Sequence, residues 1–129
     1  MLIPTGFNTV TPYFIVEDAA ALVTFLVDGL GGVEVMRHMR PDGAIANAQV
    51  RLGSSTMMVG EASEDFPGMR SSYYLYVDNA DAAMLRALQA GATQVMAVED
   101  KPYGDRQGGV KDMHGNLWWL SQRTVAGPY

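Results

Sequence analysis

Two stretches of the chain repeat their apolar residues at helical spacing, and most of the remainder alternates as strands do. Val10 to Val16 is rich in β-formers and opens with Thr11-Pro12, which suits an edge or first strand. Glu17-Asp18 then provides a cap, with acids at the positive end of a helix over Ala19 to Leu30. Leu22, Phe25, Leu26 and Leu30 form its stripe, and Gly31-Gly32 ends it. Val33 to Met39 reads as a second strand, with a turn at Pro41-Asp42-Gly43. In Ala44 to Leu52 the set Ala46, Ala48, Val50, Leu52 alternates with Asn47, Gln49 and Arg51, predicting one dry face and one polar face, with Ile45 the exception. Gly53-Ser54-Ser55 turns the chain into a fourth strand, Thr56 to Val59.

Glu61 to Arg70 is acidic, contains Pro67-Gly68 and lacks periodicity, so it reads as a linker. The pattern then restarts. Ser71 to Val77 places Tyr73, Leu75 and Val77 on one face and Ser72, Tyr74 and Tyr76 on the other. Asp78-Asn79 caps a helix over Ala80 to Gln89 with a stripe of Ala83, Met84, Ala87 and Leu88, and Gln94 to Val98 is a further strand. Pro102 to Leu120 reads as a polar loop, a strand, a tight turn at Asp112 to Gly115 and a closing aromatic strand. The junctions Val16-Glu17-Asp18 and Val77-Asp78-Asn79 lie 61 residues apart, and the hairpin glycines Gly53 and Gly115 lie 62 apart. A β-α-β-β-β unit therefore occurs twice. The expected fold is α+β: one domain over 1–129, with module 1 at about 7–60, a linker at about 61–70 and module 2 at about 71–124.

Composition narrows the function. With 129 residues, 48% hydrophobic and 18% charged, the chain has the make-up of an ordinary globular domain. A net charge of −5 argues against nucleic acid or an anionic membrane surface as partner. The absence of Cys removes disulfides, thiolate nucleophiles and Cys-based zinc sites. Met1 to Phe14 has no basic n-region and no long apolar run follows, so a cytoplasmic protein is expected. Asp42, Asp78, Asp105 and Asp112 read as turn or cap residues, and His38 and His114 as solvated surface groups. Gly108-Gly109 does not open a helix, so no phosphate loop is present, and Ser54-Ser55 has no His beside it in the sequence.

Thr11-Pro12-Tyr13 with Glu17-Asp18, Asp42-Gly43 with the strand ending Leu52-Gly53, and Tyr103-Gly104-Asp105-Arg106 through Asp112-Met113-His114-Gly115-Asn116 stand in an order that resembles the vicinal oxygen chelate superfamily. That superfamily includes glyoxalase I, bleomycin-resistance proteins and extradiol dioxygenases, and the chain looks most like its PhnB-like group. Met113 departs from the pattern, where a Pro commonly follows the Asp. The resemblance implies two modules curling into a mixed-sheet cradle, helices outside, and a homodimer. It also implies metal ligands on the first and fourth strands of each module. Matched strand by strand, these positions are Thr11 and Ser72 on the first strands and, four residues past each hairpin glycine, Met57 and Trp119 on the fourth. Two hydroxyls, a thioether and an indole offer no set of imidazole or carboxylate donors, so no metal and no cofactor are expected.

Alternation then assigns the cradle face: Thr11, Tyr13, Ile15, Asn47, Gln49, Arg51, Met57, Val59, Ser72, Tyr74, Tyr76, Trp119 and Ser121, with Arg106 at the rim. Such a wall stacks planar groups and orients them with a few hydrogen bonds. The expected role is metal-free sequestration of an aromatic or amphipathic small molecule, as in the drug-binding resistance proteins. The alternatives are a lyase or isomerase of the same fold, and an interaction protein with a vestigial cradle.

Overall fold

The computed structural model describes residues 1–129. The chain forms two compact units, residues 1–69 and 70–129. Unit 1 contains β1 (Tyr13–Val16), α1 (Ala19–Asp28), β2 (Val33–Met39), β3 (Ile45–Leu52) and β4 (Ser55–Glu61). Unit 2 repeats the order with β5 (Ser72–Tyr76), α2 (Ala80–Gln89), β6 (Thr93–Asp100), β7 (Asp105–Lys111) and β8 (Leu117–Arg123). The sheets run β1-β4-β3-β2 and β5-β8-β7-β6. In each, the first strand is parallel to the fourth and the other pairs are antiparallel. Two β-α-β-β-β modules and an α+β fold are thus observed. Neither helix is long and apolar enough to cross a membrane.

In each unit one helix seals one face of one sheet. Phe14, Val16, Ala48, Val50, Met57 and Val59 meet the buried residues Leu22, Val23, Phe25 and Leu26 of α1 in a dry core. In unit 2 the corresponding layer is Trp118, Leu120 and Val110 with Ala80, Met84 and Ala87 of α2. Both helices start in the same way. Asp18 accepts the Ala21 N–H, and Asn79 accepts the Ala82 N–H at 3.0 Å. A side chain from the fourth strand completes each cap. The Glu61 carboxylate takes the N–H groups of Asp18 and Ala19, and Gln122 Oε1 takes that of Ala80. Asp18 sits at φ 60, the one non-glycine residue with positive φ.

The segment expected as a linker, at about 61–70, begins inside β4 and folds back onto β1: Met69 N–H donates to the Ile15 carbonyl and Ala62 N–H to that of Val16. The Asp112–Gly115 turn forms as its residues require. Gly115 takes φ 85, and the buried Asp112 accepts the N–H groups of His114 and Asn116 through Oδ1. Its Oδ2 accepts the Trp118 indole N–H at 2.9 Å, which ties the turn to the core.

Candidate functional site

With the helix covering one face, chemistry in each unit is left to the opposite, open face. In unit 1 a cavity of about 300 Å³ lies there, walled by Tyr13, Ile15, Ala46, Gly60, Phe66 and Arg40 with Glu61 and Ser63. Gly60 makes the floor thin: a Cβ on it would stand 3.1 Å from the Tyr13 hydroxyl. Arg40 donates to the Glu61 backbone carbonyl, and the Glu61 carboxylate is held by α1, so the wall's two charges are anchored away from the space. Asn47 Nδ2 lies 3.3 Å from the Tyr13 hydroxyl.

The open face of unit 2 carries a connected polar cluster. Asp105, 1% exposed, stands opposite Arg123 in the β7–β8 ladder, with Gln107 opposite Ser121. Tyr74, Ser121 and Tyr129 donate hydroxyls to Asp105 Oδ2, the latter two at 2.7 Å, and Arg123 Nη1 donates to Oδ1 at 2.9 Å. Each hydroxyl has one hydrogen, so the 2.7 Å contact of Tyr76 with Tyr129 is donated by Tyr76. Tyr103 donates to Gln107 Oε1, and Gln107 Nε2 reaches Ser121 Oγ. Burial disfavours charge on Asp105, but the bonds from Tyr74, Ser121, Tyr129 and Arg123 outweigh it and hold the carboxyl well below the usual range. Burial, then bonding to Asp105, raises the Tyr74 hydroxyl; burial, then Tyr76 and Asp105, raises that of Tyr129.

Above this cluster Trp119 lies across Gly109, where a Cβ would come within 2.8 Å of the indole, and its Nε1 donates to Ser72 Oγ at 3.0 Å. Tyr74 and Tyr76 lie side by side with centroids 5.3 Å apart. Tyr74 and Tyr76 are 44% and 57% exposed, so this aromatic face is not core.

The structure places most of the sequence-predicted residues on these open faces and moves several. Tyr13, Ile15, Asn47 and Gln49 share the open face of unit 1; Arg51 is exposed at its end, and Thr11 lies just before β1. Ser72, Tyr74, Tyr76, Trp119 and Ser121 share that of unit 2, though Ser121 is buried within the cluster. Met57 and Val59 do not belong there: they are 5% and 0% exposed against α1, and Met58 stands with Tyr13 instead. The glycine count misled because the hairpins differ. Leu52 pairs with Ser55 across a two-residue loop, whereas Lys111 pairs with Leu117 across a longer one. The ladder makes Met58 the counterpart of Trp119, since each faces the tyrosine of its first strand, Tyr13 or Tyr74.

Ala46 also changes face. The ladder slips between His38 and Met39, which buries Ile45 and turns Ala46 toward the cavity. Arg106 is not on the open face either: it makes a two-pronged ion pair with Asp81 of α2, at 2.8 and 3.1 Å, and a third bond to Asp100. Its place is taken by Arg123. Asp105, expected as a loop residue, opens β7 and is buried. The signal for it was available in the alternation of Asp105, Gln107 and Gly109 against Ser121 and Arg123.

The donor set at the superfamily's ligand positions does not fit a divalent metal. Replacing Met57 by Met58 leaves a thioether in place, and the Trp119 indole N–H is directed at the Ser72 hydroxyl. Nowhere do three His, Cys, Asp or Glu side chains converge to hold an ion.

No protein-family model matches the chain. The uncharacterized protein Mb0911c of Mycobacterium bovis is 36% identical over 123 residues, covering 87% of this chain and 81% of that protein. Among solved structures, TioX from Micromonospora sp. ML1 superposes with a TM-score of 0.78 at 25% identity, over 90% of this chain and 98% of its own. TnmS3, an antibiotic binding protein from Streptomyces sp. CB03234, gives 0.68 at 20% identity over 90% and 97%. A member of the glyoxalase/bleomycin resistance protein/dioxygenase superfamily from Sphaerobacter thermophilus gives 0.65 at 21% over 89% and 98%. The chain thus belongs to one family with the M. bovis protein, and its duplicated β-α-β-β-β modules have the vicinal oxygen chelate fold seen in glyoxalase/bleomycin resistance/dioxygenase proteins.

Proposed function

We propose that the protein sequesters an aromatic or amphipathic small molecule, holding it without metal and without turnover, as a cytoplasmic homodimer. The observation that carries this reading is the aromatic face of unit 2, where the exposed Tyr74 and Tyr76 and the half-buried Trp119 stand on the side that α2 leaves open. A flat face of that kind, with hydroxyls at its edge, stacks planar rings and fixes their orientation. The cavity beside Tyr13 and Ile15 adds a second apolar recess of about 300 Å³, at the lower end of the range for small-molecule sites. The fold likeness to an antibiotic binding protein supports the class of ligand.

The test is titration with planar antibiotics, an anthracycline and bleomycin among them, followed by tryptophan fluorescence and calorimetry. Binding is expected in the micromolar range. Trp119→Ala should weaken it at least tenfold, about 1.4 kcal/mol, while Trp118→Ala should act on stability instead. No binding below about 1 mM, or insensitivity to Trp119→Ala, would overturn the reading. Light scattering at the mass of one chain, 14.0 kDa, would remove the homodimer.

A further inference from the structure

We infer that the Asp105–Arg123 end of unit 2's open face is a subsite for a phenolic ring, occupied by the protein's own Tyr129 until a ligand displaces it. This rests on the sequestration reading and names the chemistry of its ligand. The parts a phenol requires are assembled around that ring. Its hydroxyl donates to the buried Asp105 carboxylate at 2.7 Å and receives a bond from Tyr76 at 2.7 Å. The Arg123 guanidinium carbon stands 4.2 Å from the ring centroid, a cation over the π face. Tyr103 presents an edge, with centroids 6.4 Å apart and planes at 62°.

Tyr129 behaves as an occupant rather than as part of the framework. It belongs to no strand or helix, and 68% of it is exposed while its hydroxyl is held. Apart from the Tyr129 hydroxyl itself, the 124–129 segment bonds to the rest of the unit at Gly104, through Thr124, and at the subsite's own Arg123, through the carbonyls of Gly127 and Pro128. Removing the ring would not orphan the buried charge, because Asp105 keeps Tyr74, Ser121 and Arg123 as donors. The site is therefore complete without its plug. An incoming group must donate to a carboxylate, so a neutral ring hydroxyl fits and a ring carboxylate or phosphate is repelled.

The experiment uses 4-methylphenol, the tyrosine side chain with a hydrogen cap, titrated by calorimetry and by NMR into the full chain. Tyr129→Ala should bind it at least tenfold tighter than the unaltered protein, with Tyr129→Phe between the two. Toluene and 4-methylbenzoate should bind Tyr129→Ala at least tenfold more weakly than 4-methylphenol. Asp105→Asn in the Tyr129→Ala background, checked for folding by circular dichroism, should lose the preference for the hydroxyl over toluene. Equal 4-methylphenol affinity with and without Tyr129, or equal affinity for toluene, would overturn the subsite. If antibiotics bind at Trp119 and the phenol series fails, the subsite falls and sequestration stands; if the series holds and no antibiotic binds, the reverse is true.

Discussion

The two modules share the register of their first and fourth strands, a helix-capping device and a first-strand tyrosine, yet their open faces are built to opposite plans. Where module 1 has Ile15 and Gly60, with the bulged Ala46 beside them, module 2 has Tyr76 and Ser121 at the matching places, 61 residues on. The first set lines a hollow; the second belongs to a hydrogen-bonded cluster around Asp105. In both modules the layer packed on the helix is apolar and buried, although its residues differ, Met57 in one standing where Trp118 stands in the other. The open layers differ in kind, module 1 leaving its tyrosine half-exposed and module 2 burying a carboxylate under four donors.

The matched pairs offer ways to break this contrast. The largest effect belongs to the helix side. Trp118→Ala removes a fully buried indole stacked on Tyr73, and should cost about 3–5 kcal/mol in urea unfolding. Its counterpart Met57→Ala should cost about 2–5 kcal/mol, and less than Trp118→Ala in direct comparison, since only the latter also takes a donor from Asp112. Equal losses would mean that the Asp112 contact adds nothing.

The next test separates the open faces by pH. Asp105 titrates lower in the folded chain than when unfolded, so its contribution to stability is complete above about pH 4 and is lost as pH falls below that. Urea midpoints between pH 2 and 6 should drop on acidification, and Asp105→Asn should flatten the drop. Ala44, the matching residue of module 1, has no charge to contribute, so an undiminished acid transition in Asp105→Asn would place the sensitivity elsewhere.

The smallest effects lie at the caps. Asn79→Ala should cost about 1 kcal/mol. Asp18→Ala should cost about 2 kcal/mol, because alanine would lose the cap and also have to adopt the left-handed backbone at φ 60. Asp18→Gly should recover part of that difference; if it does not, the backbone at Asp18 stores no strain.

The duplicated architecture, both helices and the Asp112–Gly115 turn were legible in the sequence because each rests on a local signal: helical spacing, a cap, a glycine at positive φ. What failed was counting across unlike hairpins. Met57 and Val59 were assigned one residue out of register because the strand is aligned by its ladder with β1, and not by distance from Gly53. Arg106 and Asp105 were misplaced together. Tyr103 to Arg106 looks like a charged loop, and only pairing with β8 reveals that Asp105 faces Arg123 while Arg106 reaches back to Asp81. Tyr129 carried no sequence signal, since its role depends on contacts with residues far from it in the chain.

The adjacent glycines Gly108 and Gly109 set the thickness of module 2 at its centre. A side chain on Gly108 would come within 2.7 Å of Met84 in α2, and one on Gly109 within 2.8 Å of Trp119, so at this point the wall between the two is a single layer of backbone. Such a wall has no soft material to absorb displacement: an indole pressed from one side meets peptide planes, with a methionine directly behind them. Met84 is thereby the first reporter on the far side, and a methyl label on its Cε would register occupancy of the Trp119 face without touching it.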